Sequence, residues 1–370
     1  MKGTVKHEGS SWYFQVTLGK KTDGSRNQVK TRGFKTEKEA QQALRRAIME
    51  YEDGLYVHPS KMFYKDLAKE YMVYKKPRIS SVTYECYSHL FKSIILPFLG
   101  EVKLNNIKPQ LIYQFYGKMN DDSFAGATRA KVHDLLKDSF QYALNLQHIK
   151  ISPMETVERP KKGTRDITVW NSEQINEFLS LAENSPYFIV YYIALVTGMR
   201  QGEILGLRWE DIDFESGTIF ITQTRKTDGK LQYGAKNKSS MRSLTLASSQ
   251  IDVLLSHYEK QQEQKRQSED VYSDENLVAA SEVGTSINPS NLRRNLKKLI
   301  SKSNLPSIRF HDLRHTHATL LLTLKQNPKV VAERLGHSNV KTTLDTYSHL
   351  LPNVQKEVSS EVAEAIRFQF

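Results

Sequence analysis

The segment from Pro328 to Tyr347 constrains the fold most, because its sequence predicts two helices with a break between them. Pro328 is a typical first residue of a helix, and Gly336 is a typical stop because glycine adopts the left-handed conformation without strain. Ser338 predicts the N-cap of the following helix. His337 then lies in the break and Tyr347 on the second helix, so two side chains capable of chemistry have fixed places.

Two arginines precede this segment in short motifs. Arg314 lies three residues after His311, which puts both side chains on one face of a helix, and Arg200 follows the apolar run that ends at Val196. A phosphodiester carries negative charge on its non-bridging oxygens, and planar, permanently charged guanidinium groups suit that charge. A tyrosine hydroxyl has an ordinary pKa of about 10, so Tyr347 needs a base or a positive field to act as a nucleophile. The pattern therefore favours exchange of phosphodiester bonds.

With these motifs the chain resembles the tyrosine recombinases, specifically the lambda-type integrases of temperate phages and integrative conjugative elements, over its whole length. The family signature is arginine, lysine, a His-x-x-Arg pair, a second histidine and a tyrosine, in that order. In this sequence the signature falls on Arg200, Lys236, His311, Arg314, His337 and Tyr347. The resemblance implies a site-specific DNA recombinase that integrates and excises a mobile element.

The resemblance also implies a role for each residue. Tyr347 would attack the scissile phosphate and join covalently to the 3′ phosphate, and strand exchange would pass through a Holliday junction. Arg200 and Arg314 would bind the non-bridging oxygens, His337 would add a hydrogen bond to them, and His311 would accept or steer the tyrosine proton. Because the covalent link conserves bond energy, the resemblance implies no cofactor, no ATP and no divalent metal.

The family's lysine protonates the leaving 5′ oxygen from a loop between two strands, and residues 234–244 resemble that hairpin. Lys236 is assigned to this role, with Lys238 as the alternative, because Asn237 stands where family members usually have threonine. Glu203 falls where the family often keeps an acidic residue that orients the first arginine. We expect a supporting role for Glu203.

Each of these residues also has an ordinary structural interpretation. Alone, Tyr347 would be a half-buried core aromatic, Arg200 a surface charge, and Lys236 a solvated side chain. The carboxylates of residues 210–213 could bind magnesium, but their position favours a turn into the strand at 217–221.

A group of histidines also invites a metal-site interpretation, since histidine is the commonest metal ligand. No cysteine or Glu-x-x-His pattern accompanies the group, so we expect no metal. Core or supporting positions are expected for His315 and His317. The group consists of His311, His315, His317, His337 and His349.

The composition agrees with a DNA-binding enzyme. The chain has 53 Lys and Arg against 41 Asp and Glu, a formal net charge of +12 and a pI of about 9.4, a balance typical of nucleic-acid binders. Its 370 residues imply two or three domains. Cys86 is the single cysteine, and the sequence lacks a signal-peptide pattern and an apolar run of membrane-spanning length. We therefore expect a protein of the bacterial cytoplasm without membrane contact.

We predict a multidomain fold with three parts. Residues 1–55 form a small α+β arm-type DNA-binding domain, with a three-stranded sheet and a helix. Residues 61–158 form an all-α core-binding (SAM-like) helical bundle. Residues 166–370 form a mixed, mainly α catalytic domain with a small antiparallel sheet and a C-terminal tail helix.

The first of these domains rests on local patterns. Alternating apolar and polar residues at 12–18 and 28–34 predict strands, and Thr36-x-x-Glu39 predicts a capping box that begins a helix. Residues 1–46 hold eleven Lys and Arg and four Asp and Glu, a net of 11 − 4 = +7, so contact with phosphates is expected. The pattern resembles the integrase arm domain, whose sheet enters a DNA groove, and a solubilising sheet module is the alternative.

Helical spacing predicts the rest of the fold. Apolar residues between 63 and 94 indicate a bundle of four or five helices. Residues 290–300 indicate an amphipathic helix whose cations face either a DNA groove or solvent. Beyond Tyr347, the resemblance implies a tail helix that docks on a neighbouring protomer, and packing on its own domain is the alternative. Its apolar stripe consists of Val354, Val358, Val362, Ala365 and Ile366.

The expected partners are double-stranded DNA attachment sites and further copies of the chain in a homotetramer on DNA. The resemblance adds a host DNA-bending protein and an excisionase. Two other functions stay open: a chromosome resolvase or type IB topoisomerase with the same chemistry, and a non-catalytic DNA-binding regulator. The N-terminal module favours integration over resolution, and the presence of every signature residue favours an enzyme.

Overall fold

A computed structural model describes residues 3–20, 24–53, 61–163, 167–226, 229, 231–233, 241–268, 271–347, 359, 362–364 and 366. The chain folds into two compact units, Met1–Thr164 and Arg165–Phe370. The multidomain fold predicted from the sequence is confirmed, with a three-stranded antiparallel sheet, a helical region and a mixed, mainly helical part with short strands. The three boundaries given above stay predictions.

The first unit begins with a small sheet covered by a helix. Strands β1 (Gly3–Glu8), β2 (Ser11–Lys20) and β3 (Arg26–Phe34) pair antiparallel in that order. Helix α1 (Glu37–Glu52) begins with the predicted capping box, in which Thr36 accepts from the backbone of Glu39 and the Glu39 carboxylate accepts in return. The core of this part consists of Phe14, Val16, Val29 and Ala47.

A helical bundle follows in the same unit, as the apolar spacing predicts. Its buried aromatic side chains include Tyr64 and Tyr71, whose hydroxyls contact Ser139 Oγ at 2.8 Å and Asp138 Oδ2 at 2.5 Å. The elements are α2 (Tyr64–Lys75), α3 (Ser81–Leu90), a π-helical turn (Phe91–Ile95), α4 (Leu96–Leu99), α5 (Pro109–Asp121) and α6 (Gly126–Asn145), with 3₁₀ turns at Lys76–Arg78 and Leu104–Asn106.

The second unit is mainly helical with short strands. Its helices are α7 (Ser172–Ala182), α8 (Phe188–Thr197), α9 (Gln201–Leu205), α10 (Ser248–Gln267), α11 (Pro289–Ile300), α12 (Phe310–Thr323), α13 (Pro328–Leu335) and α14 (Val340–Tyr347). Its strands are β4 (Ile212–Asp213), β5 (Thr218–Ile221), β6 (Gln223–Arg225), β7 (Leu231–Tyr233) and β8 (Arg242–Thr245). Strands β4, β5 and β8 form one antiparallel sheet, and β6 and β7 form a second.

The acidic residues at 210–213 form the predicted turn. A 3₁₀ turn at Trp209–Asp211 leads into β4 and then β5. Asp211 accepts hydrogen bonds from the Arg208 backbone and from Thr222 Oγ1, and Asp213 accepts from the backbone of Ser216. These two carboxylates therefore stabilise the turn through local hydrogen bonds.

Helix α8 is the buried centre of the second unit, and it positions the loop that follows. Ile189, Val190 and Ala194 are almost completely buried. Burial of a valine or isoleucine side chain contributes about 1.5–3 kcal/mol to the free energy of unfolding. The helix ends at Gly198, whose φ of +67° is left-handed. A Cβ there would lie 2.6 Å from His317 Cδ2, so this turn requires glycine for two independent reasons.

Helices α13 and α14 carry the break predicted around Gly336. Helix α13 begins at Pro328, and Gly336 ends it with a φ of +70°. Prediction of Ser338 as the next N-cap was wrong by one residue: Asn339 Oδ1 accepts from the Lys341 backbone at 2.8 Å, and α14 begins after it. Both residue types are good caps, and the asparagine is the one adjacent to the first helical turn. No helix among the described residues is long and apolar enough to cross a membrane.

Candidate active site

Three segments of the second unit meet around two arginines. Arg314 on α12 donates from Nη1 to the carbonyl of Gly198 at 2.8 Å, and Arg200 donates from Nη2 to the carbonyl of Gly336 at 3.0 Å. Each carbonyl belongs to the left-handed glycine that ends a helix, where backbone acceptors have no partner within the helix. The two helix ends thus fix the two guanidinium groups.

Arg314 is buried without an acidic partner of its own. Its side chain is 3% exposed, and its Nη2 is buried with no hydrogen-bond partner among the residues that the structure describes. Burial, together with the neighbouring cations Arg200 and Arg242, lowers the pKa of Arg314 to about 9 against the opposing effect of Glu203. A buried cation with a free donor is costly unless an anion approaches it, so this position suits a phosphate.

Arg200 lies at the start of α9 and is held by Glu203. Its Nη1 donates to Glu203 Oε1 at 2.8 Å and its backbone N–H donates to Oε2 at 2.9 Å. Burial would raise the pKa of Glu203, but hydrogen bonds from Arg242 and the charges of both arginines outweigh it and hold that pKa below its ordinary value. Glu203 is therefore an ionised, buried anchor, and the Arg200 side chain stays 37% exposed, so its guanidinium is accessible to a substrate.

His337 lies in the break between α13 and α14, as the sequence predicts. Its Nδ1 hydrogen bonds with Thr343 Oγ1 at 2.8 Å, and Thr343 is fully buried. Burial, together with the charges of Arg314 and Arg200, lowers the pKa of His337 to about 4. The ring is therefore neutral at neutral pH, and the threonine fixes its orientation.

Tyr347 ends α14 and is 2% exposed, packed with Ala318, Leu322, Val331 and Leu335. Burial raises the pKa of Tyr347 to about 12, while the positive charge of Arg314 acts in the opposite direction. The hydroxyl is therefore protonated at neutral pH, and ionising it requires assistance.

His315 makes the contact to the Tyr347 hydroxyl. Its Nδ1 lies 2.5 Å from Tyr347 Oη, and the two ring centroids are 5.6 Å apart. His311 is exposed and packs edge-on against His315 at 5.0 Å between centroids. The chain thus places His311 beside the arginines, but the histidine that touches the tyrosine is the one four residues later on α12.

The structure brings five of the six predicted site residues into one region, and the sixth, Lys236, lies outside the described residues. Interactions with Arg314 or His315 connect all five. Lys238, the alternative to Lys236, also lies outside the described residues, as does most of the predicted tail stripe. The five are Arg200, His311, Arg314, His337 and Tyr347.

Three further residues contact the site, and none of them was assigned a catalytic role from the sequence. Arg242 contacts Glu203, Thr343 contacts His337, and His315, expected to be a core or supporting group, contacts Tyr347. Two local signals point to them: His315 is one helical turn beyond His311, and Arg242 lies within the segment 234–244 that resembles the family's lysine-bearing hairpin. His317 is buried as predicted and hydrogen bonds with the Leu195 carbonyl at 2.7 Å.

The histidines are not arranged as a shared metal site in the described part of the chain. There, no three His, Cys, Asp or Glu side chains are placed to hold one ion. His349 falls outside that part.

Three family models match successive parts of the chain. The arm DNA-binding domain matches residues 4–51, the SAM-like N-terminal domain of phage integrases matches residues 63–120, and the phage integrase family matches residues 168–353. The last match alone covers half of the chain and contains the whole arginine, histidine and tyrosine cluster. Fold and site together define a tyrosine-type site-specific DNA recombinase. The chain belongs to the phage integrase family.

Two relatives agree with this assignment, one of them along nearly the full length of the chain. A XerC-like tyrosine recombinase of Caldanaerobacter subterraneus subsp. tengcongensis is 28% identical over 370 residues, covering 94% of each chain. The ICEBs1 integrase of Bacillus subtilis is 26% identical, covering 76% of this chain and 78% of its own.

A solved structure supports the fold. The integrase of the Tn1549 transposon, in complex with a circular intermediate DNA, superposes with a TM-score of 0.71 at 19% identity, covering 82% of this chain and all of that one. At this identity the likeness establishes the architecture.

Proposed function

We propose that this recombinase integrates and excises a mobile element, a prophage or an integrative conjugative element, by cleaving and rejoining DNA through a covalent 3′-phosphotyrosine at Tyr347. The observation that carries the proposal is Arg314: its buried Nη2 has no hydrogen-bond partner in the described part of the chain, and its charge lies close enough to Tyr347 to act on the hydroxyl. A cation in this state is suited to the charge that builds on a phosphate during attack.

Three other groups have a place in this reaction. Arg200 and Arg314 would bind the non-bridging oxygens as two planar forks, and His337, oriented by Thr343, would donate from Nε2 to one of them. Lys236 would give a proton to the leaving 5′ oxygen. The freed 5′ hydroxyl would then attack the phosphotyrosine of the partner strand, passing through a Holliday junction, and no step of the proposal uses a metal ion.

Integration is favoured over simple resolution by the N-terminal module. The arm DNA-binding model matches residues 4–51, and this part concentrates a net charge of +7 within residues 1–46, which suits contact with phosphates outside the site of cleavage. The relative from Bacillus subtilis is named ICEBs1 integrase. The proposed partners are duplex attachment sites, a homotetramer on that DNA, a host DNA-bending protein and an excisionase, all in the bacterial cytoplasm.

The reaction is tested with a nicked suicide duplex made from the DNA that flanks the gene. Wild type should form a protein–DNA adduct on a denaturing gel in the presence of EDTA, and Tyr347→Phe should form none. Tyr258→Phe, which removes the hydroxyl of another tyrosine in the same unit, is the matched control and should react as wild type does. An adduct that persists in Tyr347→Phe would contradict the assignment of the nucleophile.

A further inference from the structure

The contact between Tyr347 and His315 has a chemical direction. The phenol is a hydrogen-bond donor, and Nδ1 of a neutral imidazole can accept when the ring proton is on Nε2. At 2.5 Å from Oη to Nδ1, the pair is at the short end of hydrogen-bond distances. Tyr347 is 2% exposed, so bulk water does not take the proton of its hydroxyl.

We propose that His315 is a catalytic residue: its Nδ1 accepts the Tyr347 proton as the oxygen attacks phosphorus, and returns it when the strand is rejoined. The inference rests on the proposed function and names the base within it. By resemblance this role falls to His311, whose ring touches the ring of His315 and lies at the surface.

The proton transfer balances within the site. In cleavage, the Tyr347 Oη–P bond forms, the P–O5′ bond breaks, and the tyrosine proton passes to Nδ1 of His315. The leaving 5′ oxygen takes its proton from a different donor, the role that the proposed function gives to Lys236. In rejoining, the 5′ hydroxyl attacks phosphorus and returns its proton to the donor that supplied it, the Oη–P bond breaks, and the proton on His315 returns to Oη.

The surroundings of His315 keep it ready to accept a proton. Burial, together with His311, Arg314 and Arg309, lowers its pKa to about 4, while Asp312 acts in the opposite direction. The ring is thus neutral before DNA binds, with a lone pair available. A bound phosphate brings negative charge next to Arg314, which offsets that cation and raises the basicity of His315 at the moment when it must act.

Backbone geometry supports a fixed base. His315 and Arg314 are consecutive residues on α12, whose N-terminus is held by Asp312 accepting from the Arg309 backbone and guanidinium. The residue that would bind the phosphate and the residue that would take the proton are therefore carried by one rigid element. The helix therefore holds the base and the phosphate-binding group in a fixed orientation relative to each other.

A first experiment needs no DNA. We would label the histidines of the full-length protein with ¹⁵N, assign His315 by comparison with His315→Gln, and determine its tautomer by NMR at pH 7.5. The expected result is a neutral ring protonated at Nε2, whose signal shifts in Tyr347→Phe. A ring protonated at Nδ1 would donate to the tyrosine instead of accepting from it, and would overturn the proposal.

A second experiment separates the nucleophile from the leaving group. A duplex with sulfur in place of the bridging 5′ oxygen has a leaving group that needs no proton. His315→Ala should cleave both duplexes about 10²–10⁴-fold more slowly than wild type, because its defect lies at the nucleophile. Lys236→Ala should be slow only with the oxygen duplex. Added imidazole should restore part of the His315→Ala rate.

The remaining outcomes are equally decisive. His315→Gln can accept a hydrogen bond but cannot carry away a proton, so wild-type cleavage by this variant would show that the residue only positions Tyr347. Equal rates for His315→Ala and wild type, with duplex binding intact, would also overturn the inference. Absence of an adduct from wild type itself would instead contradict the proposed function, and the tautomer measurement remains independent of it.

Discussion

Arg242 donates from both terminal nitrogens to the carboxylate of Glu203, Nη1 to Oε1 at 3.2 Å and Nη2 to Oε2 at 3.0 Å. Its Nε donates to the Arg334 carbonyl at 2.7 Å. Since Glu203 also holds Arg200, one buried carboxylate connects Arg200 to Arg242, the first residue of β8, which lies within the segment 234–244. Glu203 and Arg242 are 2% and 8% exposed, so the pair is shielded from solvent.

Removing one partner of this pair should be costly. In Arg242→Ala the Glu203 carboxylate keeps only Arg200, and removal of one member of a buried ion pair typically costs about 3–5 kcal/mol. We expect a lower free energy of unfolding in urea, together with slower cleavage because Arg200 no longer has a fixed anchor. Arg242→Lys keeps the charge but loses the bidentate contact, so its stability and its cleavage rate should lie between those of wild type and Arg242→Ala.

A second substitution distinguishes two causes of the lost stability, the unpaired Glu203 charge and the change in packing. In Glu203→Gln/Arg242→Ala no buried carboxylate is left unpaired, so part of the stability should return even though more atoms have been changed. Cleavage should not return, because Arg200 remains without its carboxylate. An Arg242→Ala protein with the wild-type unfolding midpoint would contradict this account.

We expect Arg314 to lower the free energy of unfolding of the protein while being required for DNA cleavage. Its pKa is lowered to about 9 by burial and by Arg200, which means that the folded protein holds this charge at a cost. We expect Arg314→Met to abolish adduct formation while its free energy of unfolding is equal to or about 1–2 kcal/mol above that of wild type. Urea unfolding and the suicide-duplex assay measure the two effects. A large decrease in stability would show that the contact with the Gly198 carbonyl outweighs the desolvation cost.

His317 should make stability depend on pH in the acid range. Burial, together with Arg334 and Arg314, lowers its pKa to about 4 against the opposing effect of the Leu195 carbonyl. In the unfolded chain the ring takes up a proton near its ordinary pKa of about 6.5, so between these values the unfolded state binds more protons. This contribution to stability is complete above pH 6.5 and declines as the pH falls toward 4, by up to about 1.4 kcal/mol per pH unit.

The matching variant for that measurement is His317→Gln, which cannot be protonated. Urea unfolding at pH 7.5 and pH 5 should show a smaller decrease for the variant than for wild type, whatever its stability at neutral pH. His315 and His337 also have pKa values lowered to about 4, so the variant should keep part of the dependence. Identical pH dependence in the two proteins would argue against a neutral, buried His317.

Local signals in the sequence predicted much of the site. The break at Gly336, the helix that begins at Pro328 and the place of Tyr347 on the next helix all depend on residues close in the chain, and the structure confirms them. The same is true of the Thr36 capping box. Caps and left-handed stops are set by neighbours within one or two turns, so a short segment of sequence determines them.

Contacts between distant segments could not be predicted in this way. His315 and Tyr347 are 32 residues apart, and Glu203 and Arg242 are 39 apart. Helical periodicity indicates which face His315 occupies, but only the packing of α14 against α12 decides whether His311 or His315 meets the tyrosine. The burial of Tyr347, and with it the raised pKa, likewise depends on side chains from two other helices, α12 and α13.

Helix α11 should bind DNA phosphates through its exposed cations. Leu292, Leu296 and Ile300 are buried, whereas the basic side chains on the opposite face are exposed, as the amphipathic pattern predicts. We expect Lys297→Ala/Lys298→Ala to weaken binding of duplex DNA of any sequence. The plot of log affinity against log salt should become shallower by about 0.9 for each phosphate that the helix no longer neutralises.

The control for α11 is a pair of lysines on another helix of the same unit. Lys260→Ala/Lys265→Ala removes the same formal charge from α10, where Lys265 is already paired with Asp274 at 2.5 Å. Because a paired or distant cation releases no counterion from DNA, the control should keep the wild-type salt slope. Equal changes in both double variants would mean that net charge, and not the α11 surface, governs DNA binding. A wild-type slope in Lys297→Ala/Lys298→Ala would assign those cations to solvent, which is the other interpretation that the amphipathic sequence allows.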